Sequence, residues 1–220
     1  NTKENKLMES FAKGMYKLGE VILYAIVSMF YSMIILLPIF LLNLFLTENI
    51  SKYLVFFIPL SGLLGFALER QANSFTATFV NDKKAFSSYF KETFDDDMLS
   101  KYLLYVLLFS LYFYADSSLR IISFTNDFVG ILTIILLYFY RGIIFYTILQ
   151  ISHRKYIGII QTIKNSLILT YRYFFYSIIV YLVWELFERL IINNNFWLLI
   201  FILIFAAMVN TINEYAIRKL

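Results

Sequence analysis

A chain of 220 residues in which 60% of positions are hydrophobic and only 15% are charged is far more apolar than a soluble domain, which carries about a quarter charged residues. With a mean hydropathy of +0.71 and no cysteine, it excludes a disordered chain and a disulfide scaffold and weighs against a soluble enzyme. The net charge of +4 and pI near 9.0 do not point to nucleic acid, because the basic residues stand between apolar spans and not on one face; a membrane surface explains them. The expectation is an all-α polytopic transmembrane bundle of six helices with amphipathic interfacial helices on the cytoplasmic side, forming one domain over residues 1–220.

Residues 1–19 are polar with a helical apolar stripe of Leu7, Met8, Phe11, Met15 and Leu18. Such a segment is expected to lie in the membrane interface with Lys6, Lys13 and Lys17 near anionic headgroups. The first span is expected over 21–46. It is too long for a signal-peptide core and is read as retained; Pro38 bends it and Asn43 is its one strongly polar side chain. The second span covers 53–78, where Pro59, Gly62 and Gly65 allow bending or close helix contact, while Glu69, Arg70, Gln71 and Asn73 predict an early exit from the hydrocarbon.

An amphipathic linker follows over 82–99, with Phe86, Phe90 and Phe94 every four residues. These rings are candidates for docking a partner, although lying flat in the headgroups is the commoner use of such a segment. Asp95, Asp96 and Asp97 are expected at the start of the next helix, since a metal or diphosphate site needs carboxylates converging from two segments. Spans three and four are expected over 102–122 and 128–149. A second amphipathic linker, 152–166, places Tyr156, Ile159, Ile160 and Ile163 on one face. Spans five and six are expected over 173–192 and 196–215. Counted by connection, sixteen of the nineteen Lys and Arg fall on one side, which predicts that both termini are cytoplasmic.

A weak repeat runs through the later two thirds. Lys83-Lys84 and Lys101-Tyr102 recur 71 residues on as Arg154-Lys155 and Arg172-Tyr173, and Asp116 with Arg120 recurs 69 on as Glu185 with Arg189. A shared alternation of features explains this as well as duplication does.

Few residues can carry chemistry. The one histidine, His153, is expected to be solvated at a span end, and no Gly-rich phosphate loop is present, so no cofactor is expected. Asp116 with Arg120 and Glu185 with Arg189 have the i, i+4 spacing of helical ion pairs. Glu185 sits deepest in its span, and charge at that depth faces protein or water. Arg141 is expected to snorkel to the cytoplasmic surface; otherwise it needs a partner such as Glu69, Glu20 or a ligand carboxylate. A polar intramembrane site is therefore expected among Glu185, Arg189, Arg141 and Asn43, with no catalytic residues.

The whole-chain pattern resembles the YesL-like family of small integral membrane proteins of Gram-positive bacteria. The resemblance is carried by Lys17-Leu18-Gly19-Glu20 entering the first span, Leu37-Pro38 closing its core, and Pro59 followed by Gly65-Phe66-Ala67-Leu68. It continues through Ala85-Phe86-Ser87-Ser88-Tyr89-Phe90-Lys91-Glu92-Thr93-Phe94 and Lys164-Asn165-Ser166-Leu167. Thr147-Ile148 stands where the family has a proline. An abundance of residues with AT-rich codons agrees with a low-GC genome. The resemblance implies no catalytic residues and a transport-associated role. The expected function is a non-catalytic accessory subunit of a membrane transport complex, possibly of the ABC type, in a bacterial plasma membrane. Its partners would be the lipid bilayer and other membrane subunits such as an ABC permease. The alternative is a stand-alone small-solute or lipid transporter with a polar intramembrane cavity.

Overall fold

The computed structural model describes residues 2–45, 54–80, 96–123 and 127–218, with side chains at 2–7, 43–45, 54–55, 80 and 123 left out of the description. Among the described residues every regular element is a helix, joined by short turns, with no strand. The elements are α1 (Thr2–Phe45), α2 (Leu54–Phe75, continued by a π-helical turn Thr76–Val80), α3 (Met98–Ser123), α4 (Asp127–His153), α5 (Ile159–Arg172), α6 (Phe174–Asn193) and α7 (Phe196–Ile212, continued by a π-helical turn Asn213–Ile217). Phe86, Phe90, Phe94 and the side chain of Asn43 lie outside the described residues.

Among the described residues, four helical stretches are long and apolar enough to cross a membrane: Met8–Leu42, Met98–Ile122, Asp127–His153 and Phe196–Ile217. The helices α2 and α6 interrupt their apolar runs with charge, Glu69 and Arg70 in one and Glu185, Glu188 and Arg189 in the other. Helix is the form an apolar chain must take in lipid, because each backbone N–H and C=O is then paired within the segment.

Helix α1 is a single unbroken run of 44 residues with Pro38 inside it, about 66 Å long at 1.5 Å per residue. The amphipathic N-terminal stretch is thus not a separate interfacial helix: no turn-forming cluster divides it from the first span. The helix meets the bundle along a row spaced by four, Tyr24, Ser28, Ser32 and Leu36, all buried, with Met29, Ile35, Ile39 and Phe40 packed beside it. The small serines in that row let α1 approach α2 and α7.

Helix α2 is central and touches α1, α3, α4 and α7. Its two glycines seat α3: a Cβ on Gly62 would come 2.7 Å from the Tyr102 ring, and one on Gly65 would come 2.2 Å from the Tyr105 ring. The second half of α2 is packed inside the bundle despite its charges. Glu69, Arg70 and Gln71 are 1%, 3% and 0% exposed, each paired inside the bundle. The core around them is aromatic. Trp184 of α6 stands at its centre, edge-on to Tyr112, Phe201 and Phe205 and stacked on Phe109.

The expected linker face over 152–166 is also revised. Gly158, at φ 93°, ends the α4–α5 connection in a backbone region that favours glycine, and α5 begins after it. Tyr156, Ile159 and Ile163 turn toward the core while Ile160 turns outward, so the four do not share a face. Helix α5 instead buries a polar row, Thr162, Ser166 and Thr170. That row lies along α4, where Thr170 closes on Gly142 so tightly that a Cβ there would come within 2.4 Å of it.

Candidate functional site

Each carboxylate and guanidinium placed among apolar helices must be offset by a partner, since lone charge in such surroundings costs several kcal/mol. The sequence offers such partners on α3, α4 and α6, and the fold brings them together. Arg141, at the middle of α4, is 0% exposed. Its Nη2 donates to Glu185 Oε2 at 2.8 Å and to Glu188 Oε2 at 2.6 Å. Its Nε donates to the Tyr112 hydroxyl at 2.8 Å and Nη1 to the Tyr181 carbonyl at 3.4 Å. The guanidinium lies over the Tyr181 ring, 4.7 Å from its centroid, a cation–π contact. Arg141 therefore does not snorkel to the surface. Its partners are two α6 carboxylates, not Glu69 or Glu20, because the Tyr181, Glu185 and Glu188 face of α6 lies against the middle of α4.

Arg120, near the end of α3, joins from the other side. Its Nε chelates both Asp116 oxygens at 2.8 and 2.9 Å, and its outer nitrogens reach Glu185 at 3.1 and 3.3 Å and Glu188 at 3.0 Å. Arg189 donates to Glu185 Oε1 at 3.3 Å. Trp184 Nε1 donates to Glu188 Oε1 at 2.9 Å, and the Tyr112 hydroxyl donates to the same oxygen.

Every oxygen of Glu185 and Glu188 thus accepts from two donors, and three guanidiniums face three carboxylates. Both i, i+4 pairs read from the sequence are present, but as the edges of one network that ties α3, α4 and α6. Arg120 is 41% exposed and Arg189 75%, so the network reaches the surface at one side while Arg141 closes it inside. Glu188 escaped the sequence reading. Its signal was present, two carboxylates three residues apart on an apolar helix that needed more than Arg189 to balance them. Of the expected polar site, Glu185, Arg189 and Arg141 are brought together.

A second polar cluster lies toward the start of α3. Arg70 Nη2 bonds Glu69 Oε1 at 2.8 Å, and the Tyr105 hydroxyl donates to Glu69 Oε2 at 2.6 Å. Beside it, Gln71 Nε2 donates to the Tyr24 hydroxyl at 3.1 Å and its Oε1 accepts from Ser32 at 3.1 Å, which anchors α1. A third cluster corrects the reading of His153 as a solvated residue. Its Nε2 is 3.3 Å from Asn210 Oδ1, and Thr76 donates to that same oxygen at 2.5 Å, because the ends of α2, α4 and α7 converge there. Asp96 and Asp97 form the turn into α3, with the Lys101 N–H bonded to the Asp97 carbonyl.

Two cavities stand apart from these clusters, one along Ser10, Phe11, Gly14 and Met15 of α1 and one under the α4–α5 connection; neither touches Glu185 or Arg141. In comparisons with known proteins, no family model, curated protein or solved structure matches the chain. Among the described residues the chain is all-α, with four helices long and apolar enough to cross a membrane and a self-compensated ionic network among its helices.

Proposed function

We propose that this chain is a multi-pass subunit of a bacterial plasma membrane that acts by binding another membrane protein and performs no catalysis. In this reading α2 and α6 cross the bilayer beside the four apolar helices, both termini face the cytoplasm, and the chain is a YesL-like protein. The partner class is a transport permease, possibly of the ABC type.

The observation that carries the reading is α1. Its apolar residues Met8, Phe11, Met15, Leu18 and Ile22 recur at alternating spacings of four and three and are 52–72% exposed. This spacing is that of a coiled-coil seam, on a helix continuous with its span. The apolar stretch Met8–Leu42 is about 52 Å long, more than roughly 30 Å of hydrocarbon takes up, so in this reading its first part leaves the bilayer and needs a protein partner for such a seam. Glu9 and Lys13 lie on the opposite face of the helix and pair with each other at 2.9 Å, leaving the seam itself uncharged. The saturated network supports the same reading, since Glu185 and Glu188 have no oxygen left for a substrate.

The test is extraction from native membranes in mild detergent. A complex larger than the 26.1 kDa chain, containing a second membrane protein, is expected, and Phe11→Lys with Met15→Lys releases that protein while the bundle stays folded. A lone monomer from the native membrane overturns the proposal. The transporter reading draws on the exposed edge of the network at Arg120 and Arg189. Solute flux in proteoliposomes that Glu185→Ala abolishes would put it in place of the first.

A further inference from the structure

The cavity under the α4–α5 connection has a volume of about 140 Å³ and is lined by Gln150, Arg154, Lys155, Tyr156, Thr162 and Asn165, with Ile157 at its edge. Its floor is neutral and fixed. Gln150 and Thr162 are 7% and 1% exposed; Gln150 Nε2 donates to Ser166 at 2.7 Å and Thr162 Oγ1 to the Gly158 carbonyl at 2.7 Å. Its rim carries two cations. Among the described residues neither Arg154 nor Lys155 forms an ion pair, whereas Arg218, near the end of α7, is held by Glu214 at 2.9 Å. A concave surface with two uncompensated cations over hydrogen-bonding side chains selects an anion. Its volume is well below the roughly 300 Å³ of a drug-sized pocket and suits one phosphate group.

The helix beside the cavity indicates what that phosphate is attached to. Helix α5 turns Thr162, Ser166 and Thr170 inward and leaves Ile160, Leu167, Ile168 and Tyr171 45–84% exposed, with Gln161, Lys164 and Arg172 exposed among them. Large apolar side chains interleaved with cations make the face of a helix lying at a membrane interface. This face starts next to the cationic rim, with Ile157 and Ile160 adjoining Arg154 and Lys155.

We propose that the Arg154–Lys155 cavity binds the phosphate of an anionic membrane phospholipid whose acyl chains lie along the outer face of α5. The inference rests on the membrane placement proposed above and is independent of the protein partner.

Native mass spectrometry of the detergent-purified chain, titrated with phosphatidylglycerol, phosphatidylcholine or inorganic phosphate, tests it. One phosphatidylglycerol per chain is expected to bind in preference to phosphatidylcholine and to resist inorganic phosphate. R154Q with K155Q weakens it about 30-fold, the product of two surface cations near an anionic lipid. R154K keeps the binding, and K17Q, which removes an exposed lysine of α1, leaves it unchanged. Equal binding of phosphatidylcholine, or an equal loss in K17Q, overturns the site. Displacement by inorganic phosphate at matching concentration makes free phosphate the ligand and overturns the lipid. A chain that stays soluble and unaggregated without detergent removes the membrane placement itself, an outcome distinct from failed lipid binding.

Discussion

Glu69 and Arg70 are neighbours in sequence and close on each other, with one Tyr105 hydroxyl to complete them. Arg141 reaches across 44 and 47 residues to Glu185 and Glu188. Tyr105 and Tyr112 sit seven residues apart on the buried face of α3, about 10 Å along its axis; the first donates to buried Glu69 and the second to half-buried Glu188. The difference is redundancy. Glu69 Oε2 accepts from Tyr105 alone among the described residues, whereas each oxygen of Glu185 and Glu188 has two donors. A network with spare donors tolerates loss at its edges but not at its hub; a minimal cluster fails at any member.

The largest expected effect follows from removing the hub. Arg141→Met leaves two carboxylates facing apolar helices without their shared inner cation and should cost about 3–5 kcal/mol. The check is chemical unfolding in mild detergent, and a cost below that of the edge variants would show that Arg120 alone holds the network. Next comes the seat of the smaller cluster. Gly65→Ala drives a methyl into the Tyr105 ring, which is braced by Glu69, so overpacking of about 1–3 kcal/mol is expected, with Gly14→Ala on the open surface of α1 as the neutral comparison.

The two tyrosines sharpen the contrast. Tyr105→Phe strips Glu69 Oε2 of its donor and should cost about 2–3 kcal/mol. Tyr112→Phe leaves Glu188 Oε1 bonded to Trp184 but takes the acceptor from buried Arg141 Nε, so it acts on the hub and should cost about as much. A loss below about 1 kcal/mol for Tyr105→Phe in thermal unfolding would contradict the reading of its cluster as minimal. The smallest effect belongs to Arg189→Gln: its pair with Glu185 is long and solvated, and a loss below about 1 kcal/mol, diminishing as salt is raised, is expected.

What the sequence makes legible follows the reach of local geometry. Hydropathy and period mark the helices, because burial in lipid imposes helix on any long apolar run. The pairs Asp116–Arg120 and Glu185–Arg189 are legible because i, i+4 neighbours touch on any helix. Gly62 and Gly65 signal a close approach, though not that Tyr102 and Tyr105 fill it. The partners of Arg141 are not legible in this way. Its position in α4 fits snorkelling as well as pairing, and only the packing of α6 against α4 decides between them. The burial of Glu69 and Arg70 is hidden for the same reason, since adjacent opposite charges mark a helix end as readily as a neutral pair folded inward. The polar inner face of α5 is the clearest inversion. Spacing places the apolar residues on one surface, but Ser166 bonds Thr147 and Gln150 of α4 while Thr162 and Thr170 bond back to backbone carbonyls and pack against α4, and the isoleucines divide between core and exterior.

The unbroken length of α1 has a mechanical consequence. In the membrane placement proposed above, a helix of about 66 Å with roughly 30 Å of hydrocarbon to cross leaves a cantilever of similar length beyond it. Pivoting the crossing part by 10° would swing the free tip by about 5 Å, taking 1.5 Å per residue over some twenty residues. The row of Tyr24, Ser28, Ser32 and Leu36 is the hinge line of that lever. A strain of the bundle too small to disturb its own packing would thus arrive at the far end as a displacement the size of a whole helical turn.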